Sequence, residues 1–253
     1  RSLLEQTLKI EPGHTEALLR LGDLESRNGR FEDASGYYRR AHSADPANLE
    51  ALFSLESAMV AQSQWDQALG YVDKILELDP NNLSALFRKR AIMERKGAWG
   101  EVLDIQKSIL KHEQSPDHQK REQFNMLGYR YEAARESLED GDLDKASKMF
   151  RGILKDDKDF VPAHLGIAET LLSEDDTEGA VNYLESAYET TRSQIIMARL
   201  EDMLINLEDP GRLLRTYRKA LAERPDDEQL RFFLGKLYFR LEMVDDAFET
   251  LKD

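Results

Sequence analysis

Five histidines, His14, His42, His112, His118 and His164, are the side chains here best suited to proton transfer or metal ligation, and their spacing serves neither. His112 and His118 flank Pro116 and miss the i, i+4 spacing that puts two imidazoles on one helix face. His112-Glu113 is also not followed by a second His three residues on. His164 falls at an apolar helix position, where packing is the expected role. The acids Asp156-Asp157, Asp175-Asp176 and Asp226-Asp227 are adjacent in sequence, but each pair sits at an expected helix boundary, where carboxylates satisfy free backbone N–H groups. Gly29, Gly97 and Gly141 stand singly at turns, so no phosphate-cradling loop is present. The sequence has no Cys, which excludes disulfides, Cys-based zinc ribbons, iron–sulfur clusters and thiol catalysis within the chain. The expectation is a non-enzymatic protein with no catalytic residue, no metal site and no cofactor.

The elements that would position any binding residues come from the remaining pattern. With 253 residues, 41% of them hydrophobic, 14 Gly and 7 Pro, the chain can bury a core. Lys and Arg number 35 against 49 Asp and Glu, and the net charge of −14 argues against a protein that neutralises nucleic-acid phosphates. No apolar run approaches the roughly 20 residues of a membrane-spanning helix, and Arg1 to Gln6 lack the apolar stretch of a signal peptide. Pro12, Pro46 and Pro80 lie 34 residues apart, each after an acid that ends an amphipathic stretch. Between them Leu18, Leu21 and Leu24, then Ala34, Tyr38 and Ala41, keep the three-to-four spacing of one helix face on either side of Gly29. This helix–turn–helix unit recurs about seven times. Val102 to Ala146 spans 44 residues, ten more than the period, and Ser115-Pro116 begins one helix of about 24 residues.

The unit from Thr15 carries Leu18, Leu21, Gly22, Gly29, Ala34, Tyr38, Ala41 and Pro46, and so resembles the tetratricopeptide repeat (TPR) family. The resemblance implies an all-α fold, a right-handed α-solenoid of about seven repeats with an elongated helix in the middle. A single domain over 1–253 is expected. It would comprise a partial repeat 1–12, repeats 15–48, 49–82 and 83–116, a repeat 117–160 with a lengthened first helix, repeats 161–193 and 194–227, and a truncated repeat 228–253. Both ends fall inside a unit, which points to a longer parent. Gly22, Ala34, Ala68, Ala146, Ala180 and Ala247 are small where two helix axes about 8–10 Å apart should cross. Glu25 replaces the usual aromatic, Glu56 and Arg90 the usual small residue, and Gln114 the closing Pro.

In proteins of this family the fifth position of each unit faces the groove of the superhelix. Here it holds Leu19, Phe53, Phe87, Tyr131, Leu165, Ala198 and Phe232. This apolar row has two readings, a core between repeats or a groove for a partner helix or extended segment. On the second reading Leu19, Phe53, Phe87, Tyr131, Leu165 and Phe232 anchor a protein or peptide, and Arg88, Arg135 and Lys236 orient it. Interleaved acids such as Glu16, Asp23, Glu94, Glu132 and Asp202 suit a protein ligand better than a polyanion. The family's carboxylate-clamp subclass is disfavoured, because Leu19 and Asp23 stand at its Lys and Asn positions, Ser54 at the next Asn, and only Arg88 agrees.

The order of units is also similar to the cytoplasmic part of the bacterial lipopolysaccharide assembly protein B family. It shares a regular early unit like Glu16 to Leu24, a Trp turn like Ala98-Trp99-Gly100, and a long inserted helix like Lys120 to Glu139 before an acidic turn like Asp140 to Ala146. This resemblance implies a cytoplasmic adaptor at the inner face of the membrane, which brings the lipid A deacetylase to a membrane-bound protease. That family's membrane helix and Cys-rich zinc ribbon are not in this sequence, so membrane attachment would need an anchor outside it. A generic or periplasmic assembly factor for another protein complex stays open as the alternative, and so does an oligomer.

Overall fold

Caps and turns fix the boundaries that periodicity only approximates. The computed structural model describes residues 1–252, and among them all regular structure is helical, with fifteen helices and no strand. They are α1 (Ser2–Ile10), α2 (Thr15–Arg27), α3 (Phe31–Ala44), α4 (Leu49–Ala61), α5 (Trp65–Leu78), α6 (Leu83–Lys96), α7 (Trp99–His112) and α8 (Pro116–Glu139). There follow α9 (Leu143–Asp156), α10 (Val161–Ser173), α11 (Thr177–Thr191), α12 (Gln194–Asn206), α13 (Pro210–Glu223), α14 (Glu228–Arg240) and α15 (Val244–Leu251). After α1 they pair as seven hairpins, and α8 is the single 24-residue helix that the insertion implied. By contacts the chain resolves into two compact units, Arg1–Tyr129 and Arg130–Asp253, with the division inside α8, where the sequence reading had put every repeat in one domain.

Side-chain caps start most hairpins. Asn48 and Asn82 accept the backbone N–H of Ala51 and Ala85 at 2.9 and 3.0 Å. Of the paired acids, Asp176 and Asp227 cap α11 and α14 by accepting from Gly179 and Leu230 at 2.8 and 2.9 Å. The turn inside every hairpin needs one residue at positive φ. Gly29, Gly97 and Gly141 supply it without strain, whereas Ser63, Asp175, Glu208 and Glu242 adopt φ of 55° to 60° at the equivalent places. That one backbone angle therefore repeats in all seven hairpins, including those whose side chains have drifted from the pattern.

Packing within each unit follows from small residues at the crossings. Ala34 and Ala68 in the first unit, and Ala146 and Ala180 in the second, are fully buried. Gly22 lies so close to the Tyr38 ring that an added Cβ would overlap it. In the second unit Gly166 of α10 stands against the Phe150 ring in the same way. The first unit's core runs through Leu18, Leu52, Leu55, Val72 and Ile75, with a second cluster around Leu86, Val102 and Ile109. The second unit's core gathers Leu184, Ile196, Leu200, Leu213, Tyr217 and Leu234. No helix among the described residues is long and apolar enough to cross a membrane.

Candidate functional site

In the first unit, the first helices of three hairpins, α2, α4 and α6, line a groove of about 600 Å³. Its walls are Asp23, Ser26, Tyr38, Glu50, Phe53, Ser54, Ser57, Ser84 and Arg88. Phe53 and Arg88 are neighbours there, the guanidinium lying 5.1 Å over the ring. Arg88 Nη1 also binds the Glu56 carboxylate and donates to Ser57 Oγ at 3.0 Å. Glu56, which stands where a small residue was expected, is 3% exposed and is paired with Arg88. The Tyr38 hydroxyl donates to Asp23 Oδ1 at 2.9 Å. Burial, and then that bond to an anion, raise the phenol well above its usual range. The Ser, Glu50 and Tyr38 contributions were not read from the sequence, since scattered serines have no periodic signal of their own.

Leu19 corrects the anchor reading. It is 2% exposed, inside the first unit's core, and has no surface to offer a partner. The fifth position lies at the seam between successive first helices, and α2 contacts α4 directly. A side chain as short as Leu is covered there, while the Phe53 ring reaches past the seam. Phe87 is partly buried against Leu86, Val102 and their neighbours, with the Arg90 guanidinium 5.1 Å over its ring.

Arg90 itself organises a polar network next to that ring. Its side chain, 13% exposed, binds the Glu122 carboxylate, donates to Gln106 Oε1 at 2.5 Å, and lies 3.1 Å from Glu94. Gln106 donates to Glu122 Oε2 and to the Glu122 carbonyl at 2.9 and 2.7 Å, and the Tyr129 hydroxyl donates to Glu94 at 2.7 Å. Burial opposes ionisation of Glu122, but the bonds from Gln106 and Arg90 outweigh it and hold that carboxyl below its usual range. The network ties α6 and α7 to the start of α8, so Arg90 is a structural departure from the repeat rather than a loose groove charge. Glu25, the other departure, is 2% exposed and paired with Arg30 and Arg1.

In the second unit the predicted residues do not form one continuous wall. Tyr131 is half-buried, its ring 5.9 Å from Phe150 and 6.0 Å from Phe160. Arg135 is exposed and spent on its own helix, with Glu139 at 2.7 Å and Glu132 at 3.5 Å. Leu165 packs against the unit's core. His164 is 7% exposed, and its Nδ1 and Nε2 meet Tyr183 Oη and the Lys158 carbonyl, each at 2.9 Å. The carbonyl can only accept, so Nε2 donates to it, while the Tyr183 hydroxyl can donate to or accept from Nδ1. Burial pushes the Tyr183 phenol up to about 12.

Two predominantly apolar openings lie in this unit. Where Ala198 takes the place that large side chains hold in the other repeats, a pocket of about 360 Å³ opens, floored by Met197, Tyr217, Leu230 and Phe233. The amides of Gln194 and Gln229 bond to each other at its edge, and Ile195 there is 62% exposed. A break in the large-residue row at Ala198 is a signal the sequence did carry. The second opening, about 550 Å³, lies between α14 and α15, where Phe232, Lys236, Phe239, Val244, Phe248 and Leu251 line an apolar face. Phe232 is 57% exposed there.

Comparison with known proteins places these features in context. A tetratricopeptide repeat family model matches residues 27–93 and 137–201, and a second tetratricopeptide repeat model matches residues 1–48, together more than half of the chain. Among solved structures, the Naa15/Naa10 complex bound to HypK-THB aligns with a TM-score of 0.60 and 16% identity over 92% of this chain. The chain spans 35% of the Naa15/Naa10 chain it matches. YrrB, described as a TPR protein with an unusual peptide-binding site, aligns at 14% identity and a TM-score of 0.44, over 79% of this chain and 97% of its own. A tetratricopeptide repeat protein from Parabacteroides merdae aligns at 17% identity and 0.43, over 93% of this chain and 90% of its own. A search of curated proteins found no match.

Proposed function

The chain belongs to the tetratricopeptide repeat family, and from that premise we propose that it is a non-enzymatic scaffold that docks a helix or extended segment of a protein partner on the first-helix faces of its hairpins. The observation that carries this reading is that those faces hold open, mixed apolar and polar hollows, around Phe53 and Arg88 in one unit and at Ala198 in the other. Hollows of this kind admit side chains of a docked segment, with hydrogen-bonding groups at the edge to fix its direction. Phe53, Phe232, Arg88 and Lys236 keep their proposed contact roles. Phe87, Tyr131 and Leu165 act mainly by shaping the wall, and Arg135 is available only by exchanging its intrahelical partners.

The long α8 between a Trp-containing hairpin and an acidic turn supports a finer reading, an adaptor of the lipopolysaccharide assembly protein B kind that regulates deacetylase turnover. The test is affinity purification from the native cell, comparing wild type with Ala198→Phe, which plugs one hollow without removing core. Loss of specific partners at unchanged helicity is the expected result. Partner recovery identical in wild type, Ala198→Phe and Phe53→Ser contradicts docking on these faces.

A further inference from the structure

The α2–α4–α6 groove carries an excess of acceptors over donors, and this deepens the docking reading, on which it rests. Asp23 and Glu50 line the groove, and with the adjoining Glu16 and Glu56 they make four carboxylates to only two guanidiniums, those of Arg20 and Arg88. Arg88 is held by Glu56, and Arg20 by Glu16 at 2.7 Å with Asp23 at 3.7 Å. Two negative charges are left uncompensated, on the Asp23 and Glu50 side of the cavity. Tyr38 holds Asp23 in place by its 2.9 Å hydrogen bond. The hydroxyls of Ser26, Ser54 and Ser84 line the same space and can each accept a hydrogen bond. An apolar side chain would leave those oxygens without partners, and a carboxylate would meet like charge.

We infer that this groove selects a basic side chain, a lysine or arginine of the docked segment, which donates to Asp23, Glu50 and the serine hydroxyls. Partly exposed ion pairs of this kind each favour the right charge by up to about five-fold and weaken as salt rises. The discriminating experiment uses an immobilised array of random nine-residue peptides probed with the purified protein and with Asp23→Asn/Glu50→Gln. In that variant the amide oxygen introduced at position 23 still accepts the Tyr38 hydrogen bond, so helicity should be unchanged. The expected result is enrichment of Lys and Arg over Glu among peptides bound by the wild type, reduced about ten-fold or lost in the double variant. Peptide binding with no basic preference, or with a preference the double variant retains, overturns this inference alone. Failure to bind any peptide overturns the docking reading as well.

Discussion

Removing Arg90 isolates what the departures from the repeat pattern contribute. In Arg90→Ala, Glu122, 6% exposed in the folded protein, loses the cation that pairs with it, and the amides of Gln106 and Asn125 remain as partners. Breaking a buried pair from one side costs about 3–5 kcal/mol, and the surviving amide bonds place this case at about 3 kcal/mol. With a urea slope of about 2 kcal/mol per molar, the midpoint should fall by about 1.5 M. Both tryptophans, Trp65 and Trp99, lie in the first unit, so their fluorescence reports that unit alone while far-UV circular dichroism reports both. The fluorescence transition should move, and the part of the dichroism transition due to the second unit should stay. Replacing both partners, Arg90→Met/Glu122→Met, should recover most of the loss, because paired apolar side chains carry no desolvation penalty. An unmoved fluorescence midpoint in Arg90→Ala, or a double variant as unstable as the single one, refutes the reasoning.

Two further outcomes follow from the same geometry. Gly22→Ala drives a methyl into the Tyr38 ring and should cost about 1–3 kcal/mol, lowering the thermal midpoint of the first unit by several degrees; calorimetry on this variant and on Ala34→Leu checks the register. The Glu122 carboxyl is depressed in the folded protein, so its stabilisation is complete above the ordinary carboxylate range and disappears as pH falls through the folded value. Urea midpoints by Trp fluorescence should therefore drop more between pH 7 and pH 4 in wild type than in Glu122→Gln.

Much of the fold was legible because it depends on local, periodic signals. The 34-residue spacing of Pro12, Pro46 and Pro80, the alanines at the crossings and the break-free stretch after Pro116 each specify a helix or a turn without reference to distant residues. Burial at the fifth position was not legible in that way. Whether Leu19 or Phe53 reaches solvent depends on side-chain length against the neighbouring first helix, a tertiary quantity. The polar departures depend on tertiary contacts in the same way. Glu56 and Arg90 stand where small residues are usual, and each is accommodated by a partner 32 residues on, Arg88 for Glu56 and Glu122 for Arg90. Such compensation between adjacent repeats has no signature within one repeat. The pocket at Ala198 shows the converse, a hollow made by an absent side chain in an otherwise large-residue row.

Site-specific photo-crosslinking in the native cell tests the docking claim most directly. A photoreactive residue placed at Ser57 or Ala198, inside the hollows of the first and second unit, should capture a discrete partner. The same residue at Lys148 or Arg39, on second helices, should not. Equal capture from both sets of positions, or capture only from the second helices, would contradict the account.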